Sequence, residues 1–113
     1  MRFYGIASEE RVKEIIESIE GGVWFFEDTK QGLKERLNHQ EAKERLKKIL
    51  LEIQNWKSSM SLLPKSTIFV FVHEPSCPKA FKIYDTTSLG CSSELTPPRW
   101  KVYIDDVIFI DRI

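Results

Sequence analysis

The sequence predicts an α+β domain in which a mainly antiparallel sheet packs against one long helix and one or two shorter helices. Helical patterns are concentrated in the first half of the chain and strand-like runs in the second half. Strands and helices do not alternate, as a parallel sheet would require. The chain has 113 residues, the length of one domain, and we interpret residues 1–113 as a single domain.

The strongest pattern is a long amphipathic helix from His39 to about Met60. Its apolar residues are spaced alternately four and three apart, which places them on one stripe: Ala42, Leu46, Ile49, Ile53, Trp56 and Met60. Leu50 widens the stripe, as expected for a helix that packs on a core. The opposite face carries the charged residues Glu41, Lys43, Glu44, Lys47, Lys48 and Lys57. Pro64 sets the C-terminal limit of this helix.

A short strand and a first helix are predicted before it. Arg2 to Ile6 is an aromatic strand-like run, and Ser8 is placed to cap a helix whose first turn contains two glutamates. The apolar residues of this helix follow helical spacing: Val12, Ile15, Ile16 and Ile19. Gly21-Gly22 is predicted to end it through a left-handed C-cap.

Two further elements are predicted between the helices. Val23 to Phe26 is a short apolar run bounded by glycine and by acidic residues, which favours a buried strand. Asp28, with Gln31 three residues later, resembles a capping box. We therefore expect a short helix that bears Leu33 and Leu37.

Strands are predicted to dominate the second half. Thr67 to Val72 is apolar on both faces, which is typical of a central strand covered on both sides, with the long helix as one cover. Phe81 to Asp85 alternates as a half-buried strand does. Thr86 to Arg99 is interpreted as a long ordered loop. Trp100 to Ile104 and Val107 to Ile110 are two strand runs, joined as a hairpin or as one bulged strand.

The charge balance predicts no overall attraction to nucleic acid. Lysine plus arginine equals aspartate plus glutamate at 17 each, so the formal net charge is zero. A role in binding phosphates would need a local basic patch, and nucleic acid is not the expected partner. No apolar run has the length of a membrane span, and the first residues lack the pattern of a signal peptide. We therefore expect a cytoplasmic protein that does not enter a membrane.

The cysteine and histidine residues indicate neither a metal site nor a disulfide framework. His73 and Cys77 lie four residues apart, but no second pair of such residues accompanies them. Cys77 and Cys91 are too few for a disulfide framework. We expect both thiols to be reduced, and a single bridge between them is left open.

Three short segments resemble the small ADP-ribosyltransferase-like domains. The stretch Phe3-Tyr4-Gly5-Ile6-Ala7-Ser8, with the helix after it, resembles the first strand, glycine and helix of that family. Gly22-Val23-Trp24-Phe25-Phe26 is similar to its second motif, in which an aromatic side chain packs against nicotinamide. Glu94-Leu95-Thr96-Pro97-Pro98-Arg99-Trp100 resembles the segment that carries its catalytic glutamate. The long helix would be an insert.

The resemblance implies NAD as the cofactor, with Tyr4, Gly5 and Trp24 as cofactor-binding residues and Glu94 as the catalytic residue. In that family the backbone of the glycine binds the nicotinamide amide. The glutamate hydrogen-bonds the nicotinamide ribose while positive charge develops on it, which is electrostatic stabilisation of a transition state. Tyr4 stands where the family normally has histidine or arginine, and Ser92 stands where protein-modifying members often have glutamate or glutamine.

Two hypotheses about function follow. The first is an NAD-binding domain that transfers ADP-ribose to a macromolecule or cleaves NAD, or an inactive relative of such an enzyme. The second is a non-catalytic interaction or assembly module that binds a protein partner or a second copy through the helix at residues 39–63. Its basis is the sustained four-three apolar spacing, which also suits a seam between two helices.

Overall fold

Six antiparallel strands and two helices make up the part of the chain that the computed structural model describes, residues 2–87 and 97–106. This confirms the predicted α+β class. In chain order the elements are β1 (Tyr4–Ile6), α1 (Glu9–Glu17), β2 (Val23–Asp28), β3 (Leu33–Asn38), α2 (His39–Ser59), β4 (Val70–His73), β5 (Ala80–Ile83) and β6 (Trp100–Ile104).

The strands form one sheet in the order β1-β4-β5-β6-β2-β3, and every neighbouring pair is antiparallel. Among the described strands, β1 and β3 are therefore the edges of the sheet, and β4, β5, β6 and β2 lie inside it. Because side chains alternate along a strand, the sheet has two distinct faces. We call the face under the helices the helix face and the opposite one the reverse face.

Both helices pack on the helix face, and their apolar stripes form the core. The side chains of α2 that are buried there are Ala42, Leu46, Ile49, Leu50 and Ile53, and those of α1 are Val12, Ile15 and Ile16. They enclose the helix-face residues Val70, Phe81 and Ile83. At the end of the stripe Trp56 is half-buried and stacks on Trp100, whereas Met60 is 43% exposed. The predicted stripe is thus confirmed except at its last position.

Lys57 is buried, although the helical spacing places it with the charged residues. Its Nζ donates to Glu9 Oε2 at 2.9 Å and lies 3.3 Å from the carbonyl oxygen of Ala7. The C-terminal end of α2 lies against the turn between β1 and α1, which covers this side of the helix. The prediction of a solvated lysine was wrong because helical periodicity carries no information about that turn.

The first helix begins as predicted and ends earlier than predicted. Ser8 Oγ accepts a hydrogen bond from the amide of Arg11 at 3.2 Å, which is an N-cap. The C-cap is Ser18 in a right-handed conformation, so Gly21-Gly22 does not end the helix. Gly22 has φ +95°, and a Cβ there would lie 2.6 Å from Ile104 Cδ1. Glycine is therefore needed for the approach to β2.

The prediction of a short helix after Asp28 is wrong, because residues 33–38 form strand β3. Asp28 Oδ1 does accept from the amides of Lys30 and Gln31, but these bonds close a turn and not a helix. The chain then returns along β2, with Leu33 opposite Asp28 and Asn38 opposite Val23. The capping box lies ten residues later, where Asn38 and Glu41 exchange hydrogen bonds at the start of α2.

The predicted strands of the second half are present, with one correction. In β4, Val70 and Val72 are buried on the helix face and Phe71 is half-buried on the reverse face. The strand predicted for Phe81 to Asp85 is present as β5, but the prediction that it is half-buried was wrong. All four residues of β5 are buried, including Lys82. Strand β6 matches Trp100 to Ile104. The predicted strand Val107 to Ile110 and most of the predicted Thr86 to Arg99 loop lie outside the described residues.

We predict that Ile49→Asp or Ile53→Asp unfolds the domain, because each places an unpaired carboxylate among buried apolar side chains. The expected loss in the free energy of unfolding is about 4 kcal/mol or more. Thermal melting followed by circular dichroism measures it. The matched control is Gln54→Asp on the exposed side of α2. If either isoleucine variant has the same melting temperature as the control, the stripe does not form the core.

Candidate functional site

Two surface cavities lie beside the connection between β4 and β5, residues 74–79. The first, the Trp24 cavity, has a volume of about 320 Å³ and is lined by residues 18–21 and 76–79, together with Trp24 and Ile104. The second, the Tyr4 cavity, has a volume of about 460 Å³ and is lined by Tyr4, Arg11 and residues 74–76. Ser76 lines both cavities. The 74–79 loop is therefore a shared wall.

The backbone of the 74–79 loop is held in a defined turn. Glu74 has φ 56°, a left-handed conformation that non-glycine residues seldom adopt. The amide of Cys77 donates to the Glu74 carbonyl at 2.9 Å, and the amide of Lys79 donates to the His73 carbonyl at 3.2 Å. The thiol of Cys77 is free and exposed, and Cys91 lies outside the described residues. Local strain of this kind occurs often at binding sites.

Tyr4 contributes an exposed ring to the Tyr4 cavity. Its side chain is 44% exposed at the edge of the sheet, and the guanidinium carbon of Arg2 lies 5.1 Å from the ring centroid. Arg11 and Glu74, which also line the cavity, have opposite charges. The cavity therefore combines one aromatic surface with a cation and an anion.

Gly5 has a packing role within the sheet. It lies opposite Phe71 in the β1–β4 pair. A Cβ at this position would lie 3.0 Å from both Ile68 Cγ2 and Phe71 Cε2. The space next to its Cα is therefore already occupied by side chains of the same chain, and a larger residue would displace them.

Trp24 is a core residue whose edge reaches the Trp24 cavity. The residue is only 1% exposed, and its ring is tilted against Phe81 with centroids 6.4 Å apart. The indole Nε1 donates to the carbonyl of Gly21 at 3.0 Å. The hydrogen-bonding group of the ring is thus satisfied within the protein, and stacking on a ligand would require the ring to be uncovered.

The described residues of the predicted NAD site do not converge on one cleft. Tyr4 and Gly5 lie on β1 and Trp24 lies on β2, with three strands between them. At the usual strand spacing this separates them by about 19 Å. Tyr4 and Trp24 line different cavities, which meet only at Ser76. The predicted catalytic Glu94 lies outside the described residues.

Comparison with known proteins identifies a protein with a similar sequence. Over 103 residues the chain is 48% identical to an uncharacterized protein of Aquifex aeolicus strain VF5, and the aligned region covers 91% of this chain and 84% of that protein. The chain belongs to the same family as that protein. No family model and no solved structure matches it. The α+β fold described above is therefore the fold of this family.

Arg99 forms a largely buried ion triad with Asp28 and Asp85 in this fold. Arg99 binds Asp28 with two hydrogen bonds, Nε to Oδ1 at 2.9 Å and an Nη to Oδ2 at 3.1 Å. A second Nη donates to Asp85 Oδ2 at 3.0 Å. Asp85 and Arg99 lie on either side of residues 88–96. The triad therefore fixes the two points at which the chain enters and leaves that segment.

Sequence reasoning missed the triad. Burial acts to raise the pKa of Asp28, but hydrogen bonds from Arg99 and from the amides of Gln31 and Lys30 outweigh it and hold the pKa below its usual value. The signal in the sequence is the position of Asp28 and Arg99 at the ends of two neighbouring strands. Their pairing across the sheet is visible only once the order of the strands is known.

Neither a metal site nor a membrane span is found in the described ranges 2–87 and 97–106. No three side chains from His, Cys, Asp and Glu cluster there in a way that could hold a metal ion. Neither of the two described helices is both long enough and apolar enough to cross a bilayer.

We predict that acid destabilises the protein through Asp28. Because the pKa of Asp28 is lower in the folded than in the unfolded state, its stabilising contribution is complete above the unfolded value of about 3.9 and is lost as the pH falls through the folded value. Asp28→Asn should lower the stability at neutral pH and weaken its dependence on pH below about 4. Urea unfolding measures both effects. The control is the exposed Asp106→Asn, and an unchanged acid dependence in Asp28→Asn would contradict the prediction.

Proposed function

We propose that this protein is a non-catalytic interaction module that self-associates through the C-terminal end of α2. The observation that carries the proposal is a set of exposed apolar side chains. Leu51 is 60% exposed, Met60 is 43% exposed and Leu62 is 96% exposed. Met60 and Leu62 lie close together in the chain, at the end of α2 and just after it, and they form the apolar surface proposed here.

This surface includes only the last residue, Met60, of the apolar stripe on which the sequence hypothesis was based. The stripe residues Leu46, Ile49 and Ile53 are buried in the core of the same chain, so they are not available to a partner. Leu51 lies on the side of the helix opposite to Met60, so it is not part of this surface. Burial of an exposed leucine contributes about 1.5–3 kcal/mol, so Leu62 alone offers a substantial gain to a partner that covers it.

The charge pattern favours a second copy of this chain as the partner. Between residues 54 and 62 the exposed polar side chains are all uncharged, namely Gln54, Asn55, Ser58, Ser59 and Ser61. Lys57 is buried and paired with Glu9. In a two-fold dimer the same patch meets itself, and every charge on it would meet a like charge near the axis. A neutral apolar patch avoids that repulsion.

We predict a dimer that depends on Leu62. Sedimentation velocity over a range of protein concentrations should show a monomer–dimer equilibrium in the wild type, and Leu62→Asp should shift it to monomer without lowering the melting temperature of the monomer. Gln40→Asp, at the exposed N-terminal end of the same helix, should leave the dimer unchanged. A wild-type protein that stays monomeric at the highest concentration would refute the proposal.

NAD binding is a second candidate, supported by one observation. The two aromatic residues of the ADP-ribosyltransferase-like resemblance, Tyr4 and Trp24, each line one of the two cavities that meet at Ser76. A dinucleotide has two ring systems joined by a linker, which is a suitable shape for two neighbouring cavities. In this proposal Tyr4 contacts one ring, Trp24 becomes uncovered to contact the other, and Glu94 stabilises positive charge on the ribose.

We predict that NAD at millimolar concentration raises the melting temperature if this candidate is right, since a ligand that binds only the folded state stabilises it. Tyr4→Ala should weaken binding, because the ring is exposed and its loss spares the core. Glu94→Gln should abolish transfer or cleavage and leave binding intact. Glu52→Gln on α2 is the matched control. No thermal shift and no heat in a calorimetric titration would eliminate this candidate.

A further inference from the structure

The Trp24 cavity lies between two chain connections that hydrogen bonds hold on the sheet. One is the connection from α1 to β2, and the other is the 74–79 loop. Trp24 Nε1 donates to the carbonyl of Gly21 in the first connection at 3.0 Å. The amide of Ile104 on β6 donates to the carbonyl of Lys79 in the second at 2.9 Å. Both walls are therefore fixed to the core, and the cavity is formed before any ligand enters it.

Part of the cavity lining is apolar. Ile19, Trp24 and Pro78 are buried residues, and Ile104 is half-buried. The volume of about 320 Å³ lies near the small end of the range for small-molecule sites, which is about 300–1,000 Å³. The cavity therefore suits a small ligand that has an apolar group.

One acidic and one basic residue also line the cavity. Glu20 is exposed and Lys79 is half-buried. Within residues 2–87 and 97–106, neither side chain forms a salt bridge with the other or with a third residue. The cavity therefore offers a ligand one negative and one positive group in addition to its apolar lining.

We propose that the Trp24 cavity binds a free α-amino acid with an apolar side chain. Lys79 contacts the α-carboxylate, Glu20 contacts the α-ammonium group, and the apolar lining receives the side chain of the ligand. A zwitterion satisfies both charged residues. An apolar carboxylate would leave Glu20 beside a like charge, and the terminal residue of a peptide carries only one of the two charges. Trp24 remains in the core, because the ligand needs only the part of it that lines the cavity.

The test is isothermal titration calorimetry of the full chain with L-leucine. The wild type should bind L-leucine more tightly than 4-methylpentanoate, which lacks the ammonium group, and more tightly than 3-methylbutylamine, which lacks the carboxylate. Each analogue leaves one charged residue of the cavity without a partner. Each should therefore bind about tenfold more weakly or worse.

Variants at the two charged residues test their roles. Lys79→Gln and Glu20→Gln remove one charge each, and each should weaken L-leucine binding about tenfold or more. Both variants should keep the wild-type melting temperature, because neither residue has a salt bridge in the described ranges to lose. Lys65→Gln and Glu52→Gln, at exposed positions outside the cavity lining, are the charge-matched controls and should bind as the wild type does.

The thiol of Cys77 reports where the ligand binds, because it is exposed and lines the same cavity. Saturating L-leucine should slow the alkylation of Cys77 by iodoacetamide, measured by mass spectrometry of the peptide that contains it. The same concentration should protect Cys77 less in Lys79→Gln. Protection should persist in Leu62→Asp, since this inference does not depend on self-association.

Three results would overturn the proposal. The first is no heat with L-leucine and no protection of Cys77 in the wild type. The second is binding of 4-methylpentanoate or 3-methylbutylamine as tight as that of L-leucine. The third is a loss of affinity in the two control variants as large as the loss in Lys79→Gln and Glu20→Gln.

Discussion

The whole structure depends on the burial of one face of the sheet under two helices. The stripes of α1 and α2 meet over Val70, Phe81 and Ile83, and these residues belong to the apolar core of the domain. Because side chains alternate along a strand, the choice of the helix face also determines every residue of the reverse face. Side chains such as Phe25 and Lys101 thus lie on the reverse face because the helices pack on the other one.

Two buried ionic contacts fix the places where chain segments join this core. Lys57 ties the end of α2 to Glu9 at the start of α1, and Arg99 ties the end of β2 to Asp85. Such pairs add little net stability compared with apolar side chains of the same size, but removal of one partner costs about 3–5 kcal/mol. Their main effect is to hold the segments in one position. Asp85 and Arg99, the described residues on either side of residues 88–96, are held together in this way.

The sequence predicted the elements whose hydrophobic periodicity reflects burial in the core. It missed the elements whose conformation depends on neighbouring strands and turns. The α2 stripe and the strand Trp100–Ile104 were predicted because their patterns record contact with the core. Strand β3 was missed because the hydrogen bonds that Asp28 makes in a turn have the same sequence signature as a helix cap. For the site, the sequence identified Tyr4 and Trp24 as unusual aromatics. The burial of Trp24, and the pairing of Arg99 with Asp28 71 residues away, follow from strand order and have no local signature.

Strand β3 carries charged side chains along an edge of the sheet. It is an edge of the sheet among the described strands, and an edge strand can template the addition of another chain. In an antiparallel pair, directly opposed residues share a face. A two-fold pairing of β3 with a second copy, centred on Glu35 or on Arg36, would therefore place two glutamates or two arginines in contact. Such like-charge contacts oppose the pairing of two β3 edges in these two registers.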